Sequence, residues 1–284
     1  MPSPIFNFCG AQFMKRKTKR IICIALIYTL FCLVAVLMIN YVDIRTEAEP
    51  VAELEESTEQ ESELVEEPVI KVVTPGTGHV VCIDAGHQQR ADMKKEPIGP
   101  GASKKKARVD GGTTGKYTGI TEFQLDLEIA LKVQKELEDR GYTVVMTRTT
   151  NDVNISNSER SIIANEANAE AFVRIHADGS DDTEVHGAST VCQTKDNPYN
   201  GELYESSRKL SDCVLDGVVA SAGCKKRQVI EVDSMSGINW SKVPTTIIEV
   251  GYLSNKDEEA KLITDAYQQL LAKGIADGLD NYFK

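Results

Sequence analysis

Three polar side chains occur where predicted strands end, and their types suit metal chemistry. His87 follows the run HVVCIDAG, His176 follows AFVRI, and Glu249 ends TTIIE. Because the carboxyl ends of parallel strands meet at one edge of a sheet, we expect these side chains to lie close together. Two imidazoles and a carboxylate are typical of a zinc site whose fourth position stays open to water.

Glu122 is a fourth polar candidate. It begins an amphipathic helix, and a normal crossover would bring it to the same edge of the sheet. A carboxylate that does not bind the metal would serve there as a general base. Spacing alone does not assign these roles, since the four residues form no local motif such as H-E-x-x-H. A hydrogen-bonded histidine at a strand end is the alternative interpretation of each imidazole.

The elements that must position these residues alternate along the chain. Apolar patterns predict strands over 79–84, 142–147, 171–175, 187–193 and 245–250, and helices over 122–140, 156–168, 203–220 and 257–282. A capping box formed by Ser156 and Glu159 marks one helix start. The alternation predicts an α/β fold with a mostly parallel, twisted sheet that carries helices on both faces. We expect this catalytic domain over 76–284.

The segment before that domain has the pattern of a membrane anchor. Residues 21–39 are 19 consecutive uncharged and mostly apolar residues, and as an α-helix they would span about 28 Å, close to the bilayer hydrocarbon thickness. A cleaved signal peptide is the alternative, but its apolar core is usually shorter and ends in small residues. We therefore predict an uncleaved, single-pass transmembrane signal-anchor over 21–40.

The charges on either side of the anchor predict its orientation. Residues 1–20 contain five basic residues and no acidic ones, which indicates a cytoplasmic N-terminus and an extracytoplasmic catalytic domain. Residues 41–75 contain ten glutamates without apolar periodicity, which is typical of a disordered, extended linker.

Composition excludes some partners and leaves other questions open. A net charge of −11 argues against nucleic acid, whose phosphates need a basic surface. The seven cysteines are too few for a disulfide scaffold and include no C-x-x-C pair, but one disulfide among Cys192, Cys213 and Cys224 stays open. The basic segment 90–116 reads as a solvated, flexible surface, with a lid that grips anionic substrate as the alternative.

Four separated blocks, in order, resemble one enzyme family. The blocks IDAGH, Glu122 with the following LDLEIALKVQKELEDRGYTVVMTR, SERSIIANEANAEAFVRIHAD and PTTIIEVGYLSN are similar to the zinc-dependent N-acetylmuramoyl-L-alanine amidases of the autolysin type. The resemblance covers about 77–284. It implies a Zn²⁺ ion bound by His87, Glu122 and His176, and catalysis by Glu249. The substrate would be peptidoglycan, hydrolysed between N-acetylmuramic acid and L-alanine.

The chain departs from that family in two places. A long segment follows His87 where the family usually has a short glycine-rich loop, and RIHAD stands where the family usually has SIHAN. Arg174 and Asp178 therefore change the surroundings of the second histidine. Two other functions stay open: a zinc peptidase or carboxypeptidase that cuts the stem peptide, and a non-catalytic, anchored wall-binding module. The sequence does not indicate the oligomeric state or whether the role is growth, separation, sporulation or germination.

Overall fold

The computed structural model describes residues 78–284, and a six-stranded sheet forms their centre. In chain order the strands are β1 (Val80–Ala85), β2 (Asp92–Pro97), β3 (Lys105–Val109), β4 (Thr143–Met146), β5 (Ala171–Asp178), β6 (Ala188–Cys192), β7 (Lys226–Glu231) and β8 (Thr245–Tyr252). The main sheet has the order β4-β1-β5-β8-β6-β7, while β2 and β3 form a separate pair. Neighbours from β4 to β8 are parallel, and β6 is antiparallel to β8. The predicted mostly parallel α/β sheet is confirmed.

Residues 78–284 also form six helices, of which the last two follow the final strand. They are α1 (Glu122–Asp139), α2 (Asn157–Glu166), α3 (Tyr204–Ala222), α4 (Ser236–Asn239), α5 (Lys256–Leu262) and α6 (Asp265–Tyr282), with a short 3₁₀ turn at Gly201–Leu203. The capping box predicted for α2 is present, since Ser156 and Glu159 each accept the other's backbone amide. The single helix predicted over 257–282 was wrong. The chain turns between α5 and α6, where the Thr264 hydroxyl accepts the Tyr267 amide and starts a new helix.

The two faces of the sheet carry cores of unequal size. On one face, alternate residues of β1, β5 and β8 pack against apolar residues of α1, α3 and α6 in a large cluster that includes Val173, Ile175 and Ile248. On the other face a small cluster of Cys82, Phe172, Val243 and residues near α2 fills the sheet only in part. Because successive strand residues point to opposite faces, the more polar residues of β5 lie on this second face.

A buried ion cluster lies on the second face. Asp84 is fully buried, with its Oδ1 2.7 Å from Arg160 Nη1 and its Oδ2 2.8 Å from Arg174 Nε. Burial alone would raise the pKa of Asp84, but the charges of Arg160 and Arg174 outweigh burial and hold it below its ordinary value. Just after β1, Arg148 also donates to the Gly86 carbonyl and Arg160 to the His87 carbonyl. The cluster therefore connects the sheet to the loop that follows β1.

The basic segment 90–116 contains β2 and β3, which the sequence analysis did not predict. Lys94, Lys95, Lys104 and Lys105 on it are exposed, in agreement with a solvated surface. The two strands form an antiparallel hairpin, attached to α2 by Arg108, which lies 2.8 Å from the Glu159 carboxylate. Glu96 of the hairpin accepts hydrogen bonds of 2.6 Å from the Ser158 and Ser236 hydroxyls. Neither these strands nor β7 has an apolar alternation, because they are rich in charged residues and pack against little of the core.

Two further predictions concern cysteines and the membrane. The four described cysteines, Cys82, Cys192, Cys213 and Cys224, are all free thiols, so the disulfide left open by the sequence is absent from residues 78–284. Within that same range, no helix combines the length and apolar character needed to cross a bilayer. The predicted segments 1–20, 21–40 and 41–75 lie outside the described residues.

The ion cluster leads to a stability prediction. Asp84→Asn keeps the shape of the side chain but leaves two buried guanidinium groups without their counterion, so the free energy of unfolding should fall by about 3–5 kcal/mol. Urea denaturation followed by the fluorescence of the single tryptophan, Trp240, measures this loss. The difference from the wild type should narrow below about pH 4, where the unfolded carboxyl takes up a proton and the ionised Asp84 stabilises the fold less.

A surface pair provides the matched control. Asp139→Asn removes the partner of Lys135 in an exposed i,i+4 pair on α1, and the denaturation midpoint should hardly move because solvent screens such pairs. Equal effects of the two substitutions would contradict a special role for the buried cluster.

Candidate metal centre

His87 lies in the loop after β1, in an unusual backbone conformation. Its φ of 54° is in the left-handed region, which residues other than glycine seldom adopt. The loop is held there because Arg160 Nη2 donates to the His87 carbonyl at 2.6 Å and Arg148 Nη2 donates to the Gly86 carbonyl at 2.6 Å. A side chain at Gly86 would place its Cβ 2.4 Å from His176 Cε1, so glycine is required between the two rings.

Glu122 joins the two histidines. Its Oε1 lies 3.0 Å from His87 Nε2 and 3.1 Å from His176 Nδ1, while its Oε2 accepts a 2.6 Å hydrogen bond from the Thr113 amide. As the first residue of α1, Glu122 also lies where the helix dipole favours an anion. Burial would raise the pKa of Glu122, but the hydrogen bonds of both histidines outweigh it and hold the pKa well below its ordinary value.

The two histidines differ in their electrostatic surroundings. Burial lowers the pKa of His87, but the hydrogen bonds to Asp110 and Glu122 outweigh it and raise that pKa to about 11. The pKa of His176 falls to about 4, mainly because of burial and against the hydrogen bond to Glu122. The carboxylates of Asp110 and Glu122 thus make the surroundings of His87 favourable to a positive charge. A site that stabilises a cation in this way suits a metal ion.

His176 and Glu249 lie side by side inside the sheet. They are register partners of β5 and β8, and both strands continue past them, to Asp178 and Tyr252. The prediction that Glu249 closes its strand was therefore wrong. Both side chains instead project from the thinly covered face of the sheet near the carboxyl ends, and they line a cavity of about 420 Å³ together with His87 and Glu122.

Asp126 is a site residue that the sequence analysis missed. Possible ligand atoms of His87, Glu122, Asp126 and His176 all lie within 4.8 Å of one another, and Glu249 is outside this group. Asp126 is fully buried, and neither of its carboxyl oxygens has a hydrogen-bond partner among the described residues. Burial, then the neighbouring charge of Glu122, raises its pKa well above the ordinary value. The signal was in the sequence: Glu122 and Asp126 are four residues apart, on one face of a helix.

The sequence profile of one family matches most of the described residues. The profile of the N-acetylmuramoyl-L-alanine amidases aligns with residues 81–281. The chain belongs to this family. Residues 81–281 form an amidase catalytic domain, as the resemblance of the four blocks implied.

Relatives agree with this assignment. The N-acetylmuramoyl-L-alanine amidase LytC of Bacillus subtilis is 27% identical over 210 residues, which is 74% of this chain but 36% of LytC. The crystal structure of the N-acetylmuramoyl-L-alanine amidase of Clostridium difficile 630 is similar with a TM-score of 0.60 and 28% identity, over 72% of this chain and 96% of that one. The amidase Ami1 of Mycobacterium smegmatis shares the fold, with a TM-score of 0.67 and 22% identity over 74% of this chain and 98% of Ami1.

The geometry predicts one divalent metal ion per chain. His176→Ala removes a donor whose Nε2 is buried and has no hydrogen-bond partner among residues 78–284, so the metal content should fall by about one equivalent. Inductively coupled plasma mass spectrometry of the purified proteins measures this change. The control is His186→Ala, which alters an exposed loop histidine and should keep the wild-type metal content. Equal content in the wild type and His176→Ala would refute the ligand assignment.

Proposed function

We propose that the protein is a zinc-dependent amidase that hydrolyses the bond between N-acetylmuramic acid and L-alanine in peptidoglycan. The observation that carries this proposal is the convergence of His87, Glu122 and His176 in one cavity, with Glu249 beside them but outside the group. Asp126 does not line the cavity, so these three residues would be the protein donors. Three donors leave a coordination position for water, which is the arrangement of catalytic rather than structural zinc. The family to which the domain belongs supports the same reaction.

The residues present fit a zinc ion. Imidazole nitrogen and carboxylate oxygen are its usual ligands in hydrolytic sites, and the buried Nε2 of His176 lacks any other partner among the described residues. A zinc ion bound there would act as a Lewis acid on the amide carbonyl and would acidify water. Asp110 and the Thr113 amide orient His87 and Glu122 from behind, as outer partners of metal ligands commonly do.

Glu249 is proposed as the general base. Its carboxylate stands beside His176 in the sheet register, and burial, then the charge of Glu122, raises its pKa well above that of an ordinary glutamate. A carboxylate with a raised pKa can take a proton from the attacking water and hold it. Glu249 would then give this proton to the nitrogen of L-alanine as the amide bond breaks, so that alanine leaves as a neutral amine.

We also infer that residues 21–40 anchor the protein in the cytoplasmic membrane, with the catalytic domain outside. The support is the sequence pattern alone: a long apolar run behind a basic cluster. The acidic segment 41–75 would act as a spacer that lets the domain reach wall polymer some distance from the bilayer. Peptidoglycan would be the macromolecular partner.

The first prediction of this proposal separates Glu249 from Glu122. Glu249→Gln should keep its zinc and lose about 10²–10⁴-fold in kcat, the usual contribution of a general base, with little change in substrate affinity. Glu122→Gln should lose both zinc and activity because it removes a ligand. Mass spectrometry of muropeptides identifies the reaction, since an amidase releases intact stem peptides whereas a peptidase or carboxypeptidase cuts within them.

Two results would contradict these roles. A Glu249→Gln protein that retains zinc and still releases stem peptides near the wild-type rate would exclude the base. A wild-type protein that binds wall but releases nothing would support the non-catalytic module instead.

The second prediction concerns topology. Protease added to intact protoplasts should remove the domain over 76–284, because the basic N-terminus keeps 1–20 in the cytoplasm. Immunoblotting with an antibody to the domain measures its loss, and a cytoplasmic protein serves as the control for lysis. Full protection of the domain, or its release without protease, would contradict the proposed anchor.

A further inference from the structure

Arg174 presents an unused donor to the cavity of the metal centre. It lies two residues before His176 on β5, therefore on the same face of the sheet, and it lines the same cavity. Its Nε donates to Asp84 at 2.8 Å and its Nη2 to the Asn157 side chain at 2.7 Å. Its Nη1 makes no hydrogen bond or ion pair with any described residue.

The Arg174 guanidinium has space beside Gly237, but it shares its counterion with a second arginine. A Cβ at Gly237 would come within 1.8 Å of Arg174 Nη1, so the absence of a side chain there is what makes room for the group. Asp84, its ion-pair partner, is shared with the fully buried Arg160. One carboxylate therefore serves two buried guanidinium groups, and the cavity side of Arg174 retains uncompensated positive charge.

Lys106 adds a second cation to the same cavity. It comes from β3 and is half-buried, and its Nζ contacts only Met235 Sδ, at 3.8 Å, among residues 78–284. Its partner across the hairpin, Glu96, is occupied by two serine hydroxyls. Burial, then the positive charge of Arg174, lowers the pKa of Lys106. A lysine that is partly desolvated without a counterion is expected to bind an anion when one is offered.

The other acids that line the cavity form no ion pair with these cations, although the charge of Asp110 acts on Lys106 and that of Glu249 on Arg174. Asp110 pairs with His87 Nδ1 at 2.9 Å, and Asp178 accepts the Gly179 amide at 2.7 Å. No carboxylate of the described residues lies within ion-pair distance of Lys106. The cavity thus combines a cation-binding centre with two further cations: Arg174, which shares Asp84 with Arg160, and Lys106, which has no carboxylate at ion-pair distance among the described residues.

We infer that Arg174 and Lys106 form a subsite for a free carboxylate of the stem peptide, next to the amide that is cut. This inference rests on the proposed amidase function and adds a substrate preference to it. A guanidinium edge and an ammonium match the two oxygens of a carboxylate, whereas a carboxamide brings no charge and one donor group that both cations repel. The enzyme should therefore prefer stem peptides whose second residue has a free carboxylate over stems amidated there.

The test compares two matched substrates. Disaccharide tetrapeptides whose second stem residue is either D-isoglutamate or D-isoglutamine differ only in that one group, and the full-length enzyme in detergent is assayed on each by mass spectrometry. The wild type should favour the carboxylate by about 10- to 100-fold in kcat/KM, the usual worth of hydrogen bonds to a charged group. The preference should appear mainly in KM, and it should shrink at high salt.

Substitutions in and beside the subsite test which side chains cause the preference for the carboxylate substrate. Lys106→Met should lose most of the preference, because it should raise KM for the carboxylate substrate much more than KM for the carboxamide substrate. Lys105→Met, an exposed neighbour on β3, should behave like the wild type. Arg174→Lys keeps the charge but not the planar fork, so it should lose part of the preference.

The outcomes separate the two proposals. Cleavage of both substrates at equal rates, or a preference that Lys106→Met leaves intact, would overturn the subsite and leave the amidase function standing. Release of stem peptide from neither substrate would overturn the amidase function and the subsite with it.

Discussion

The ion pairs of the buried Asp84 carboxylate are the interactions on which the rest of the site depends. This carboxylate orients Arg160 and Arg174 on the thinly covered face of the sheet, and Arg160 in turn fixes the backbone of the loop that presents His87. His87 has a left-handed backbone conformation, and such a conformation persists only when several contacts hold the residue in place. The ion pairs of Asp84 thus help to fix the position of His87 in the candidate metal centre.

Two carboxyl groups of the candidate metal centre, Glu122 and Asp126, have different surroundings. Glu122 is held as an anion by two imidazoles, a backbone amide and a helix start. Asp126, one turn later and without hydrogen-bond partners among the described residues, has its pKa raised instead. Two carboxyl groups on one helix face therefore have opposite pKa shifts, because only Glu122 has partners that stabilise its charged form.

Five strands of the main sheet could be predicted from sequence because buried strands are apolar runs. The polar residues near the ends of three of these runs stood out as candidates, and the structure brings them together with Glu122 in one cavity. The resemblance of four blocks then implied that Glu122 is a metal ligand and Glu249 the catalytic residue. Spacing alone could not distinguish these roles. The hairpin was missed because DMKKEP and KKARV have no apolar alternation. Glu249 was predicted to lie at a strand end, but it lies inside β8. The length of β8 depends on pairing with β5 and β6, and this pairing is not visible in one sequence.

The β2–β3 hairpin has a consequence for how the enzyme could change over evolutionary time. It pairs with no strand of the main sheet, and the contacts described above that attach it to α2 and α4 are hydrogen bonds and an ion pair rather than shared core packing. Replacing or lengthening this insertion would leave the candidate metal ligands and their supporting arginines in place. Under the proposed function, recognition of wall chemistry could therefore diverge in this segment while the proposed hydrolytic residues are inherited unchanged.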